Sequence, residues 1–182
     1  MKATTIQLAA ALTLTFGVAA CVPSASAPTP TPAPVTGTAP PAPSAGAPRQ
    51  PVPMLTEWDN LPATPGQWRY SARNGASEAA FSGRDNQPLA QLRCDPARRA
   101  VSLTLPGASA RGSEMIVQSE TLSRVLPYPQ APGGATVTFA PGDPLLDAMA
   151  LSKGRFAVNA VGAGPLILPS YAEVSRVIED CR

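Results

Sequence analysis

The side chains with the most chemistry to offer in this 182-residue chain are three cysteines, Cys21, Cys94 and Cys181. A thiol can be acylated, can bind a soft metal or can pair with a second thiol, and compartment and neighbouring ligands decide between these fates. The chain contains no histidine, which excludes Ser-His-Asp and Cys-His nucleophile systems and every histidine-bearing metal site. Cys94 and Cys181 without further ligands do not make a zinc site, so neither metal nor cofactor is expected.

Three other groupings could in principle support catalysis. Asp143 and Asp147 stand four apart and could set two carboxylates on one side of a helix, as glycoside hydrolysis or a hard cation requires. Asp143, however, precedes Pro144 and is the natural helix cap. Ser152 and Lys153 are adjacent, and adjacent residues on a helix do not face each other. A lysine near a helix carboxyl end is accounted for by the dipole alone. The stretch PGGATVTF, 132 to 139, lacks the Lys-Ser/Thr ending of a phosphate loop and leads into a strand. No catalytic residue is therefore assigned, and a carboxylate-dependent enzyme ranks last among the readings.

Cys21 has the most specific surroundings. Upstream, Lys2 is the sole charge before an apolar run from Ile6 to Ala20, the charged-then-apolar layout of an export signal. The run is shorter than the ~20 residues needed to span a bilayer. Val18-Ala19-Ala20-Cys21 resembles a bacterial lipobox, and Ala25-Ser26-Ala27 offers a competing small-residue cleavage site. The lipobox resemblance implies a signal peptide over 1–20, diacylglyceryl transfer to the Cys21 thiol, cleavage before it and acylation of the new amino terminus. One acyl chain gives marginal membrane residence, and two or more make an anchor stable. Val22 stands where an Asp would resemble an inner-membrane retention signal, so the resemblance points to the outer membrane, facing the periplasm.

From Pro23 to Pro53, eleven of thirty-one residues are proline and most others are Ala, Ser or Thr. Such a composition buries too little apolar surface to offset the ordering entropy and is expected to be disordered. Residues 21–54 thus read as a lipidated cysteine and its linker, extended at about 3.1 Å per residue where polyproline II forms. The remaining 55–182 suffice for one domain with a core. Loss of Lys2 leaves thirteen basic side chains against twelve acidic ones, a balance of +1. This scattered, near-neutral charge carries no nucleic-acid footprint.

The domain must position the two remaining cysteines, which in an exported protein read as a disulfide. Period-two alternation between turn residues marks strands at 68–70, 80–82, 89–94, 100–105, 115–119, 123–126, 136–139, 156–161 and 166–168. Val101, Leu103 and Leu105 point inward against Ser102 and Thr104, and this strand pairs with 89–94 as a hairpin. Asp143-Pro144 opens a short helix with Leu145, Leu146 and Met149 as its apolar stripe and Gly154 as its stop. Ser170 and Glu173 form a capping box for a second helix, whose stripe of Tyr171, Val174, Ile178 and Cys181 turns Cys181 toward Cys94. The fold class is mostly β, of α+β kind: a small antiparallel β-sandwich or barrel-like domain with two short helices, the second C-terminal.

The run DPLLDAMALSKGRFAVNAVGAGPLILPSYAEVSRVIEDC, from 143 to 181, resembles small alphaproteobacterial envelope proteins of unknown function. It is also distantly similar to the tail of the invasion-associated locus B family, in which a helix, a Gly-bounded strand pair and a final helical segment follow in that order. The resemblance implies an exported β-rich domain and assigns no activity.

Candidate binding residues are few. RVLPYPQAPGG, 124 to 134, either displays Tyr128 between two prolines or packs it against a sheet edge. Arg98 and Arg99 beside Asp95 could meet an anionic partner such as lipopolysaccharide or peptidoglycan carboxylates, or they form a solvated turn. The expectation is a lipoprotein whose domain binds non-catalytically, with the membrane as one partner through the anchor and an envelope protein or peptidoglycan-related partner as another. The alternative is a periplasmic inhibitor of a lysozyme-like or other hydrolase, although no Ser-Gly-x-x-Tyr-like inhibitory loop is present.

Overall fold

Nine strands in two antiparallel sheets account for most of the described chain, which in this computed structural model comprises residues 51–109, 114–129 and 132–182. The first sheet has the order β1-β2-β3-β4-β7, from Gln67–Arg73, Ala76–Ser82, Pro88–Asp95, Ala100–Leu105 and Ala135–Phe139. The second has the order β6-β5-β8-β9, from Ser123–Pro127, Glu114–Gln118, Arg155–Ala160 and Gly164–Pro169. Neither sheet closes, and both contribute to one apolar core, so the sandwich rather than the barrel form is adopted. All nine expected strands are present, with ends shifted by a few residues.

Local chemistry sets these pairings. Asn74 and Gly75, both at positive φ (52° and 78°), make the two-residue turn that matches the right-handed twist of β1 and β2. β3 and β4 form the expected hairpin, with Val101, Leu103 and Leu105 fully buried. Gly134 lets β7 begin against the end of β4, because at its φ of 107° a Cβ would stand 2.2 Å from the Leu105 carbonyl oxygen.

α1, Pro144–Ala150, is capped by the Asp143 carboxylate, which accepts from the Leu145 amide at 2.9 Å. Leu145, Leu146 and Met149 are buried as expected, but the helix ends at Ala150 and Gly154 (φ 81°) closes the turn that follows. α2, Ala172–Glu179, departs from its expected start. The Ser170 hydroxyl donates to the Met149 carbonyl at 2.7 Å, satisfying one of the open carbonyls at the end of α1, and no capping box forms. The cap position passes to Tyr171, which is exposed, and the buried stripe is Val174, Val177, Ile178 and Cys181. This stripe still delivers Cys181 to Cys94, and the two are disulfide-bonded with Cα atoms 5.4 Å apart. The Tyr70 hydroxyl donates to Asp180 at 2.7 Å and the Arg176 guanidinium lies 4.1 Å from the centre of the Tyr70 ring, further fixing α2 on β1.

The domain takes hold of the chain just upstream of Leu55. The Asn159 amide donates to the Pro53 carbonyl at 3.2 Å, and the Gln118 side chain both accepts from the Leu55 amide (2.9 Å) and donates to the Leu55 carbonyl (3.1 Å). Arg155 donates to the Leu61 carbonyl at 2.7 Å, and Thr64 pairs with both backbone groups of Ile167 at 2.8 Å. Residues 53–65 thus form a strap on the outer side of the four-stranded sheet. There Ile116, Gln118, Ala157, Asn159 and Ile167 are buried, although they alternate with the residues that face the shared core.

Candidate functional site

The outer side of the five-stranded sheet carries no such cover among the described residues. Along it, the register aligns Ser71, Glu78, Arg93, Ser102 and Thr138 across the five strands, with Arg73, Ala76 and Asp95 toward one end. Two concavities open on this face. One, of about 570 Å³, is lined by residues that include Arg73, Asn74, Glu78, Arg93 and Asp95. The other, of about 330 Å³, includes Arg93, Asp95, Arg98, Ser102 and Thr138. They adjoin through Arg93 and Asp95.

Three guanidinium groups and two carboxylates make this surface weakly positive. Glu78 and Arg93 lie directly opposite on β2 and β3, yet neither Arg73 nor Arg93 makes an ion pair among the described residues. Arg98 has one contact, 3.5 Å from Asp95 with its side chain 84% exposed, an arrangement with almost no energetic weight in water. The forks of Arg73, Arg93 and Arg98 are therefore available to carboxylates or phosphates, which suit their planar donor geometry. Ser102, Thr138 and Asn74 add neutral donors and acceptors.

A second cleft, of about 520 Å³, lies between the strap and the four-stranded sheet. Leu55, Thr56, Glu57, Trp58 and Asp59 form one wall; Gln118, Ser119, Glu120, Ser152, Lys153 and Arg155 form the other. Glu57 adopts the left-handed conformation (φ 51°) and starts a single 3₁₀ turn, Trp58–Asn60, that presents the half-buried Trp58. The opposite wall is held by the Glu120 amide donating to the Ser152 hydroxyl at 3.3 Å and by the Lys153–Glu120 ion pair at 2.7 Å. The Lys153 ammonium beside Glu120 holds that carboxyl below the usual carboxylate range.

The expected site residues separate into groups. Cys21 lies outside the described residues. Cys94 and Cys181 are joined and buried, a structural bond. Tyr128 is packed rather than displayed: its side chain is buried, its hydroxyl donates to the Ser109 carbonyl at 3.3 Å, and burial pushes the phenol pKa up. Arg98 and Arg99 occupy the β3–β4 turn, with the Arg98 amide donating to Asp95 and Arg99 at positive φ. Only Arg98 of this pair lines the sheet concavities.

Asp143 and Asp147 do not form a carboxylate pair. Asp143 takes a bidentate contact from Arg124 (2.8 and 2.9 Å), and Asp147 is bonded by Arg182. Among the described residues no three Cys, Asp or Glu side chains converge as metal ligands. Arg73, Arg93 and Glu78 were not among the expected site residues, although the alternation of β1, β2 and β3 carries them. Glu57, Trp58 and Asp59 were not among them either, since nothing local in the sequence reveals a strap.

No family model matches the chain, and neither a curated protein nor a solved structure matches it.

Proposed function

We propose that the protein is an envelope lipoprotein, held by acyl chains on Cys21 and presenting a non-catalytic binding domain on its Pro-rich spacer. The outer membrane, facing the periplasm, is its proposed location. The observation that carries the binding role is the uncovered face of the five-stranded sheet. Adjoining concavities there share Arg93, and neither Arg73 nor Arg93 makes an ion pair among the described residues. Unpaired guanidinium groups on a preformed, solvated surface suit a carboxylate-bearing or phosphate-bearing partner of the envelope, of which peptidoglycan stem peptides are one source.

Two measurements test this reading. A clickable fatty acid should label the wild-type protein and not Cys21→Ala, and equal labelling would remove the anchor. Purified sacculi should retain the detergent-solubilised wild type in low salt and release the Arg73→Glu/Arg93→Glu variant. Equal retention of a folded variant would remove the arginine face.

A further inference from the structure

The cleft under the strap has no part in that reading, and its unused valences point to a different ligand. Trp58 is one of two tryptophans in the chain. Trp68 is core, 5% exposed, with its indole N–H given to the Pro169 carbonyl at 2.8 Å and its ring edge-on to Phe81. Trp58 is half-buried on the cleft wall, and its indole N–H has no hydrogen-bond partner among the described residues. Glu57 and Asp59 flank it, and neither carboxylate makes an ion pair or a side-chain hydrogen bond among the described residues.

We infer that this cleft is a glycan-binding site, in which a pyranose ring stacks on Trp58 while Glu57 and Asp59 accept hydrogen bonds from its hydroxyls. A pyranose has an apolar face of C–H groups and a rim of hydroxyls. It therefore matches an aromatic plane bordered by acceptors, with the indole N–H as a further polar contact. The charges favour a neutral ligand. Glu57, Asp59 and Glu120 stand against Lys153 and Arg155, so the walls nearly balance, and Glu120 is already paired to Lys153 at 2.7 Å.

The site is built in advance. Gln118 clamps Leu55 through two hydrogen bonds and Arg155 holds the Leu61 carbonyl, so the wall carrying Trp58 is fixed on both sides of that residue. The volume of about 520 Å³ lies within the range of small-ligand sites. The inference does not depend on the arginine face, which lies on the other sheet.

The mature full chain, in a zwitterionic detergent free of sugar headgroups, is titrated with the β-1,4-linked trimer of N-acetylglucosamine, with cellotriose and with trilysine. Trp58 reports directly, because Trp68 is shielded. Saturable change of tryptophan emission with either trisaccharide and none with trilysine is expected. By calorimetry Trp58→Ala should weaken binding about tenfold or more, and Glu57→Gln/Asp59→Asn should weaken it without loss of melting temperature. Should Trp58→Ala misfold, Trp58→Phe provides the test: it retains a stacking plane, abolishes the emission change and leaves measurable affinity. No saturable response to either trisaccharide up to about 10 mM, or a response to trilysine alone, overturns the glycan site and leaves the arginine-face reading standing. Arg73→Glu/Arg93→Glu should bind the trisaccharide as the wild type does.

Discussion

Asp143 serves two structures at once, and its removal should be felt in both. Its carboxylate caps α1 through the Leu145 amide at 2.9 Å and takes two parallel bonds from Arg124 on β6, at 2.8 and 2.9 Å. Loss of an Asp cap costs about 1 kcal/mol. A bidentate charge-assisted pair exceeds an ordinary surface ion pair. The Arg124 side chain is nevertheless 35% exposed and that of Asp143 18%, so solvent screening holds the pair's share to about 1 kcal/mol. Asp143→Ala should therefore lose about 2 kcal/mol, and Asp143→Asn, which retains a capping oxygen, about half of that. Urea denaturation of the two variants and of Arg124→Ala separates the contributions. pH supplies a second axis. Arg124 first, and then the Leu145 amide, hold the Asp143 carboxyl below the usual carboxylate range. The stabilisation is thus fully present above the unfolded pKa of about 3.9 and is lost as pH falls through the lower folded value. The gap between wild type and Asp143→Asn should shrink accordingly in acid. Equal losses in Asp143→Asn and Asp143→Ala would refute the cap, and a gap that persists unchanged in acid would refute the ion pair.

Reduction of Cys94–Cys181, which spans 87 residues, should cost about 4–5 kcal/mol on the chain-entropy account, and Cys94→Ser/Cys181→Ser should reproduce the fall in melting temperature. Burial raises the Tyr128 pKa, so above about pH 10 the unfolded chain ionises first and stability should fall with pH; Tyr128→Phe should flatten that slope in alkaline urea titrations. Deletion of the mature chain through residue 50 should leave the melting temperature of the domain unchanged. Deletion through residue 65 removes the bonds of Pro53, Leu55, Leu61 and Thr64, each about 0.5–1.5 kcal/mol, and should lower stability by several kcal/mol and promote aggregation.

Legibility in the sequence followed periodicity. In β4, Val101, Leu103 and Leu105 alternate with Ser102 and Thr104, and in β7 Val137 and Phe139 alternate with Thr136 and Thr138, so one face is readable without a structure. Asp143-Pro144 was equally plain, since cap and first-turn proline are local chemistry. Ser170 misled because its hydroxyl has a nonlocal use: it donates to the open Met149 carbonyl, 21 residues away, and in that orientation accepts from none of the helix's amides. The two prolines around Tyr128 leave display and packing equally open in the sequence, and the fold decides for packing, with Tyr128 in the core. The arginine face was readable only in part. The turn at Arg98 is a sequence feature, whereas the alignment of Arg93 with Glu78 is a matter of register between strands.

The strap is the element whose need was written in the sequence while its identity was not. β1 to β4 alternate, and their sheet leaves a polar side that tolerates water. β8 does not: in RFAVNA every residue after Arg155 is buried, and β5 carries Met115, Ile116 and Val117 in succession. Strands apolar on both sides demand cover on both sides, and the shared core supplies only one. The second cover must itself satisfy Gln118 and Asn159, polar side chains buried on that outer face. An extended segment does this with its backbone carbonyls and amides, as Leu55 and Pro53 do. A proline-rich approach favours such an extended form, so the end of the linker serves as the lid of the second sheet. The cleft beside Trp58 follows from this construction, since a narrow strap laid across a broad sheet leaves an opening along its margin that the sheet's loops wall on the other side.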